Sequence, residues 1–581
     1  MGISERKSTL LLEEHFEDGD DRFLEAVFAC TADRKLDALG ARWVADPRPW
    51  ARRMLLAYVD DGCDRGRHRT LVRRILRLAE QRQDDELMAH LFRAFDAMDR
   101  HEVRVVDRWS WQDRETHKVA VRMKVRPHPR RATTREHYEL LRAAPREGGW
   151  RVRSPHFSAH TRAYLRRRTF RWLRKMAFRE PERFFEAALR TMSLYSDADV
   201  EKPEHVVDVT SLTSLLYYGS DVLRRTGRSL RIARGRQLLE LSPAPLNPDA
   251  WRGRTEPLLR LLFRSDCLYV RRFLVRWLER EEPDALAALS AAQLKPLLMS
   301  PHGDVQVFAA SLVDGAKGFG TFRISDWMDL LELDNLEVLP TICALVEKHV
   351  SADRLSLEQL VRLASLSAAP TAELGLRWLK ARAIRTAEEL ATVMPVADAE
   401  AAHVREEAVA WLLALVEGEL GTAEHVRMLV DARHEEVRNA ALALMTEGSR
   451  FADDPALWLA LSESPYPEIT QFLVRHLEAR MAVLPKGRVA HVWATTLLSP
   501  YRGSRAKRTA LRQIADRVIA EPDRAGELLP ILRVALRSVR EAERRPALAA
   551  VSRAAFAAPS LLDEIGRYIP ELDLGMERGG R

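Results

Sequence analysis

From about residue 255 the chain repeats itself, and this periodicity constrains the fold more than any other feature. A β-branched or small residue recurs just after a turn at Val270, Val305, Val338, Ala372, Val404, Val437 and Ile469, in steps of 35, 33, 34, 32, 33 and 32 residues. Periods of roughly 20–50 residues belong to arrays of stacked supersecondary units. Four residues after the mark stand Leu274, Ala309, Ile342, Leu376, Ala408, Ala441 and Leu473. Seven after stand Trp277, Leu312, Leu345, Leu379, Trp411 and Leu444, with His476 as the exception. Eight after stand Leu278, Val313, Val346, Leu412, Met445 and Leu477, with Lys380 as the exception. Positions i, i+4, i+7 and i+8 share one helix face, so each unit predicts a helix with an inward stripe, and Trp277 and Trp411 read as core. Eight before the mark stand Leu262, Leu297, Leu330, Ala364, Val396, Leu429 and Leu461, an apolar column for a preceding helix. Between the two lie turn formers such as Ser300-Pro301-His302-Gly303-Asp304, Asp334-Asn335, Ala369-Pro370 and Ser464-Pro465-Tyr466-Pro467. Proline there stops the first helix and suits the entry to the second. The spacing predicts turns near 266, 302, 335, 369, 400, 434 and 466. One such helix pair cannot bury its apolar face alone, so neighbours must stack.

The best copies are Ser462-Glu463-Ser464-Pro465-Tyr466-Pro467-Glu468-Ile469 and Arg433-His434-Glu435-Glu436-Val437-Arg438-Asn439-Ala440-Ala441. Leucines, a Ser-Pro or Asp-rich turn, then Glu-Val-Arg and alanines make a pattern that resembles HEAT repeats of the armadillo-like class. The resemblance covers about 255–480, and 499–511 and 539–548 read as two looser copies. It implies an all-α, right-handed α-solenoid of HEAT-like helix pairs over 255–581, with an extended surface for a macromolecular partner.

Upstream, 1–100 reads as a helical region with amphipathic segments at 50–59 and 71–78. Residues 101–157 read as a basic mixed insertion. Val119, Val121, Met123 and Val125 alternate with Ala120, Arg122, Lys124 and Arg126, the period of a strand, and Val103 and Val105 offer a hairpin partner. A short helix over 135–143 and a strand over 150–153 are expected to follow. Residues 158–254 read as a helical block. Its start, Phe157-Ser158-Ala159-His160-Thr161-Arg162 through Lys175, then Pro181-Glu182-Arg183-Phe184-Phe185, resembles a block in bacterial HEAT-like proteins of unassigned activity, some of which carry a WGR module. Gly149-Trp150-Arg151 lacks the rest of that module's pattern.

Net charge is +8, and of 92 basic residues 80 are arginine. An arginine excess of this size is what a GC-rich genome gives, so the position of the charge matters more than its total. Residues 101–175 hold 21 Lys and Arg against 7 Asp and Glu, a net of +14, which leaves the rest of the chain at −6. Trp109, Trp111, Trp150, Phe170 and Trp172 interleave with that charge. Arginine pairs with phosphate and stacks on bases, and aromatic rings give stacking platforms. The candidate anion- or nucleic-acid-binding residues are therefore Arg122, Lys124, Arg126, Arg166, Arg167, Arg168, Arg171, Arg174 and Lys175. The competing reading is a solvated helix face over 166–175, with Leu165, Trp172, Leu173 and Met176 as its buried stripe and some arginines paired to acids elsewhere. In a second basic run, the spacing of Arg224, Arg228 and Arg231 predicts one exposed helical face.

Other motifs exclude more than they offer. Four widely separated cysteines, at 30, 63, 267 and 343, form no zinc ribbon or disulfide framework and suit a reducing compartment. Gly315-Ala316-Lys317-Gly318-Phe319-Gly320-Thr321 has the wrong order for a P-loop. His156 and His160 stand at i, i+4 without a third ligand, and Ser158 between them reads as an N-cap. No run reaches the roughly 18 apolar residues of a membrane span, and the start offers no apolar core of signal-peptide length. The expectation is a non-enzymatic cytoplasmic scaffold or adaptor with a protein partner, without metal, cofactor, membrane or small-molecule substrate. The alternatives are nucleic-acid binding through 101–175 and, by analogy of fold alone, a HEAT-like DNA-processing enzyme. An enzyme would have to draw on Asp107, Asp113, Glu115, His117 and His128, beside the insertion's tryptophans.

Overall fold

The computed structural model describes residues 3–30, 33–60, 63–98, 100–110, 114–125, 157–226, 229–499 and 505–572. The chain divides into two compact units, Met1–Gly318 and Phe319–Arg581. Both are built from helices, and the described strands form two small two-stranded sheets.

The first unit opens with α1 (Ile3–Asp18), α2 (Phe23–Ala29), α3 (Asp33–Ala45), α4 (Pro49–Asp60), α5 (Arg69–Gln81) and α6 (Asp85–Asp96). Phe16, Phe23, Trp43 and Tyr58 are buried together, with Phe23 edge-on to Trp43 at 4.8 Å. β1 (Arg100–Ser110) and β2 (Glu115–Val125) then pair antiparallel, with Val105 opposite Ala120 and Val103 opposite Arg122. This is the hairpin that the period-two alternation predicts. The helix expected over 135–143 and the strand over 150–153 lie outside the described residues.

Next come α7 (Ala159–Arg179), α8 (Pro181–Ser193) and α9 (Thr210–Leu216), then the short antiparallel pair β3 (Leu223–Arg225) and β4 (Leu230–Ile232). That pair corrects the helical face expected for Arg224 and Arg231, while Arg228 lies outside the described residues. Arg224 pairs across the ladder with Arg231, and the amide of Thr226 donates to Ser229 O at 2.9 Å to close the turn. The three-and-four spacing of the arginines was outweighed by the pairing of two short strands, closed by the bond between Thr226 and Ser229. The unit continues with α10 (Thr255–Arg264), α11 (Leu268–Glu281), α12 (Pro283–Ala287), α13 (Ala291–Leu298) and α14 (Gly303–Ser311). Trp251, whose indole donates to Leu246 O at 3.0 Å, ties Phe184 and Phe185 of α8 to Phe273 and Trp277 of α11.

The second unit contains α15 (Ile324–Leu331), α16 (Leu339–His349), α17 (Leu357–Ala364), α18 (Ala369–Ala381), α19 (Ala387–Val393), α20 (Ala402–Glu417), α21 (Ala423–Val430), α22 (Glu435–Leu442), α23 (Pro455–Ser462) and α24 (Pro467–Arg480). α25 (Lys486–Leu498), α26 (Arg505–Ala520), α27 (Ala525–Leu536), α28 (Glu541–Ala557) and α29 (Leu562–Tyr568) complete it. Within each of α15–α16, α17–α18, α21–α22 and α23–α24 the partners pack on each other, and α16, α18, α20, α22, α24, α26 and α28 each pack on the next in that row. Helix breaks fall at 265–267, 299–302, 332–338, 365–368, 399–401, 431–434 and 463–466, where the repeat spacing places turns.

All seven residues at the mark, all seven at i+4 and all seven at i−8 are buried. The i+7 column is mixed. It stands at the edge of the stripe, so Leu312, just past the end of α14, and Trp411 are only half-buried. Trp277 is fully covered because Trp251 and Phe273 lie against it. Trp411 therefore departs from the expected core role.

One position after the mark carries a feature that hydropathy does not reveal. Arg271 donates to Ser265 O at 2.9 Å and to Asp304 at 2.9 Å. Arg405 donates to Ala399 O at 2.7 Å and to Glu436 at 2.8 Å. Arg438 donates to Ala432 O at 2.8 Å and to Glu468 at 2.6 Å. In each case one guanidinium satisfies a carbonyl in the preceding turn and a carboxylate one repeat further on. These charge-assisted bonds fix the turn and join successive pairs.

Candidate functional site

The site is organised by α7, which presents three kinds of face. Ser158 caps it, its hydroxyl accepting from the Thr161 amide at 3.2 Å. Leu165, Leu173 and Met176 are buried and Trp172 is half-buried, which is the apolar stripe expected from the sequence, and Thr169 is buried with them. On one flank Arg168 reaches Glu80 of α5 at 3.0 Å and the Tyr164 hydroxyl at 2.9 Å, and these bonds hold its guanidinium above its ordinary pKa. On the other flank Ala163, Arg166, Arg167, Phe170, Arg171 and Arg174 line a pocket of about 320 Å³. Their spacing of three and four residues places them on one side of the helix.

The opposite wall comes from Thr210, Ser211 and Ser214 of α9 and from Arg225, Thr226 and Ser229 of the β3–β4 hairpin. Arg225 donates to Ser214 O at 3.1 Å. Its guanidinium carbon lies 4.2 Å from the Tyr218 ring centroid and 5.3 Å from that of Phe170. Burial, and then the like charge of Arg174, lower its pKa.

Behind the pocket sits Asp96, the last residue of α6 and 1% exposed. It accepts from the amides of Ser211 at 2.9 Å and Leu212 at 3.0 Å, and from the Tyr195 hydroxyl at 3.1 Å. Burial raises its pKa, and burial with the Asp96 charge raises that of Tyr195 well above the ordinary value. Arg166 stands between this carboxylate and the pocket, 3.9 Å from Asp96 and donating to the Thr210 hydroxyl at 2.7 Å. Among the described residues no carboxylate forms an ion pair with Arg167, Arg171, Arg174 or Arg225. Five arginines thus line one concavity, and the buried carboxylate of Asp96 is already held by two backbone amides and a phenol. The surrounding hydroxyls and guanidinium groups are the donors that hold phosphate oxygens.

Of the nine candidates, Arg166, Arg167, Arg171 and Arg174 come together here. Arg168 turns to Glu80, as the paired-helix reading allows, and Lys175 is exposed outside the lining. Arg122 and Lys124 occupy β2, opposite Val103 and His101, while Arg126 lies outside the described residues. Sequence reasoning missed Arg225, Thr210, Ser211 and Ser214. The available signal was the arginine run over 224–236, which the helical reading obscured. Of the insertion's titratable groups, Glu115 is exposed at the start of β2, and Asp113 and His128 lie outside the described residues. Asp107 stands opposite Lys118 in the ladder, and Arg108 opposite His117.

Among the described residues no group of three or more His, Cys, Asp or Glu side chains is placed to hold a metal ion, and the four cysteines are buried thiols. No helix of the described residues is long and apolar enough to cross a membrane. No protein-family model matches the chain, and no curated protein matches it. A solved crystal structure of an engineered protein, 14% identical over 91% of this chain and 98% of that one, superposes with a TM-score of 0.15, too low to support any argument from likeness.

Proposed function

We propose that this chain is a non-enzymatic nucleic-acid-binding protein, which grips a phosphate backbone with the arginine face of α7 and the neighbouring β3–β4 hairpin. The supporting observation is the convergence of Arg166, Arg167, Arg171, Arg174 and Arg225 on a single hydroxyl-lined pocket. A helix face that only keeps the protein hydrated has no need of a concavity or of a second element bringing a fifth arginine to it. In the wider frame, residues 255–581 form a right-handed α-solenoid of HEAT-like pairs in a bacterial cytoplasmic protein. Its buried columns and recurring Arg–carboxylate bonds support that reading. The scaffold expectation keeps the same frame with a protein partner, but the pocket's donor set suits phosphate better than a mixed protein surface.

The test is a titration against fluorescein-labelled oligonucleotide at two salt concentrations, with wild type and an Arg171→Glu/Arg174→Glu double variant. Affinity should fall steeply with salt, because each neutralised phosphate releases counterions. The double variant should bind at least about tenfold more weakly, as expected when two phosphate contacts become repulsions. Affinity indifferent to both salt and the substitutions would overturn the reading.

A further inference from the structure

We infer that the pocket takes one nucleotide of a single strand, with its phosphate on the α7 arginines and its base against the Phe170 ring. This rests on the nucleic-acid reading above and specifies the form of nucleic acid. The first argument is shape. Duplex phosphates lie on the outside of a wide cylinder whose bases stay stacked within it. Here the arginines line a concavity of about 320 Å³, at the small end of ligand sites, which run from about 300 Å³ upward. One nucleotide fits such a space, whereas a stacked base pair does not enter it.

The second argument is the composition of the walls. A site for phosphate alone needs donors and no aromatic surface. This one includes Phe170 in its lining, and beside it Phe170 and Tyr218 stack at 6.3 Å and 23° with the Arg225 guanidinium over both rings. Tyr218 remains 36% exposed. Two near-parallel rings with a guanidinium beside them make the platform on which an unstacked base rests, and such stacking tolerates any base because each has a π-face. In a duplex those faces are covered by neighbouring bases, so the platform would have nothing to meet. The third argument is the hydroxyls of the lining. Thr210, Ser211, Ser214, Thr226 and Ser229 are small donors and acceptors of the kind that meet a sugar or a base edge. The Thr226 and Ser229 hydroxyls, 2.7 Å apart, hold the hairpin rim in place.

The experiment compares full-length wild type with Phe170→Leu and Arg225→Lys by fluorescence anisotropy. The probes are labelled oligothymidylate and oligouridylate of about 15 nucleotides, within the usual range of site sizes, and a duplex of equal length. Both variants keep net charge and approximate volume, and their melting temperatures report whether they fold. The expected result is tighter binding of at least one single strand than of the duplex. In Phe170→Leu the single-strand affinity should fall by about 5- to 100-fold, the range of one lost base–aromatic stack, and the single-strand preference should shrink. Equal or tighter duplex binding by wild type, or a folded Phe170→Leu with wild-type single-strand affinity, overturns this inference and leaves the phosphate-binding reading standing. Failure of every probe to bind wild type at low salt overturns both.

Discussion

His68 shows how burial alone sets a residue's chemistry. Its ring packs against Phe28 and Tyr58, and its Nδ1 shares a hydrogen bond of 2.8 Å with the Tyr58 hydroxyl. Burial, and then Arg65, lower its pKa to about 4 from the usual 6.5. Between those values the unfolded chain binds a proton that the folded chain refuses. Stability should therefore fall as pH drops through that window, by up to about 3 kcal/mol, and level off below it. His68→Gln keeps an acceptor for Tyr58 and removes the titration, so its urea midpoint should lose less than wild type between about pH 7 and about pH 4. An identical loss in both proteins would show that His68 is not the sensor. The same scale limits what the sequence shows of the site. The cluster at 166–175 was legible as charge, but nothing in it separates Arg168 from Arg171. The difference is which flank of α7 faces Glu80 and which faces α9, and helix phase relative to partners is a tertiary fact. Arg225 was harder still, because it joins the pocket from a hairpin some fifty residues on.

At the scale of elements the repeat was legible because its signal is redundant. Each turn was fixed by several columns at once, so single exceptions such as His476 and Lys380 did not shift the register. The Arg224–Arg231 run had no such redundancy, and one local spacing lost to one local turn. The columns now give graded expectations. Leu444 is buried, and Leu444→Ala should cost about 2–5 kcal/mol in a denaturant titration. Leu312 lies just past α14 and is half-covered, so Leu312→Ala should cost less, about 1 kcal/mol. Equal losses would mean that the edge of the stripe is packed as tightly as its centre. Gly375 tests the approach of α17 to α18. A methyl added there would stand 2.5 Å from the Ala364 amide nitrogen and 2.9 Å from Leu363, both in the facing helix. Gly375→Ala should destabilise by about 1–3 kcal/mol despite alanine's better helix propensity, because overpacking backbone cannot be relieved by a rotamer change. A stabilised variant would show that the two helices can move apart freely.

For the whole molecule, charge distribution decides what a polyanion can do after its first contact. Outside 101–175 the chain is net −6, so the segment carries the excess positive charge of the molecule. Two parts of that segment carry the charge by different means. The pocket gathers arginines from separate elements, whereas β2 strings Arg122 and Lys124 along one strand. A short oligonucleotide of about 4 nucleotides occupies the pocket alone, while one of about 15 has length to continue onto other basic groups. Single-strand binding weakens with salt by a slope of about 0.7 per phosphate neutralised. Reversing Arg122 and Lys124 to glutamate should therefore lower the slope for the long strand by about 1–2 and leave the short strand unchanged. Reversing Arg171 and Arg174 should weaken both strands together. If the β2 variant weakened the short strand as much as the long one, the hairpin would belong to the nucleotide pocket itself. If it changed neither, the +14 of the segment would act through α7 alone, and the charge on β2 would have no part in holding the strand.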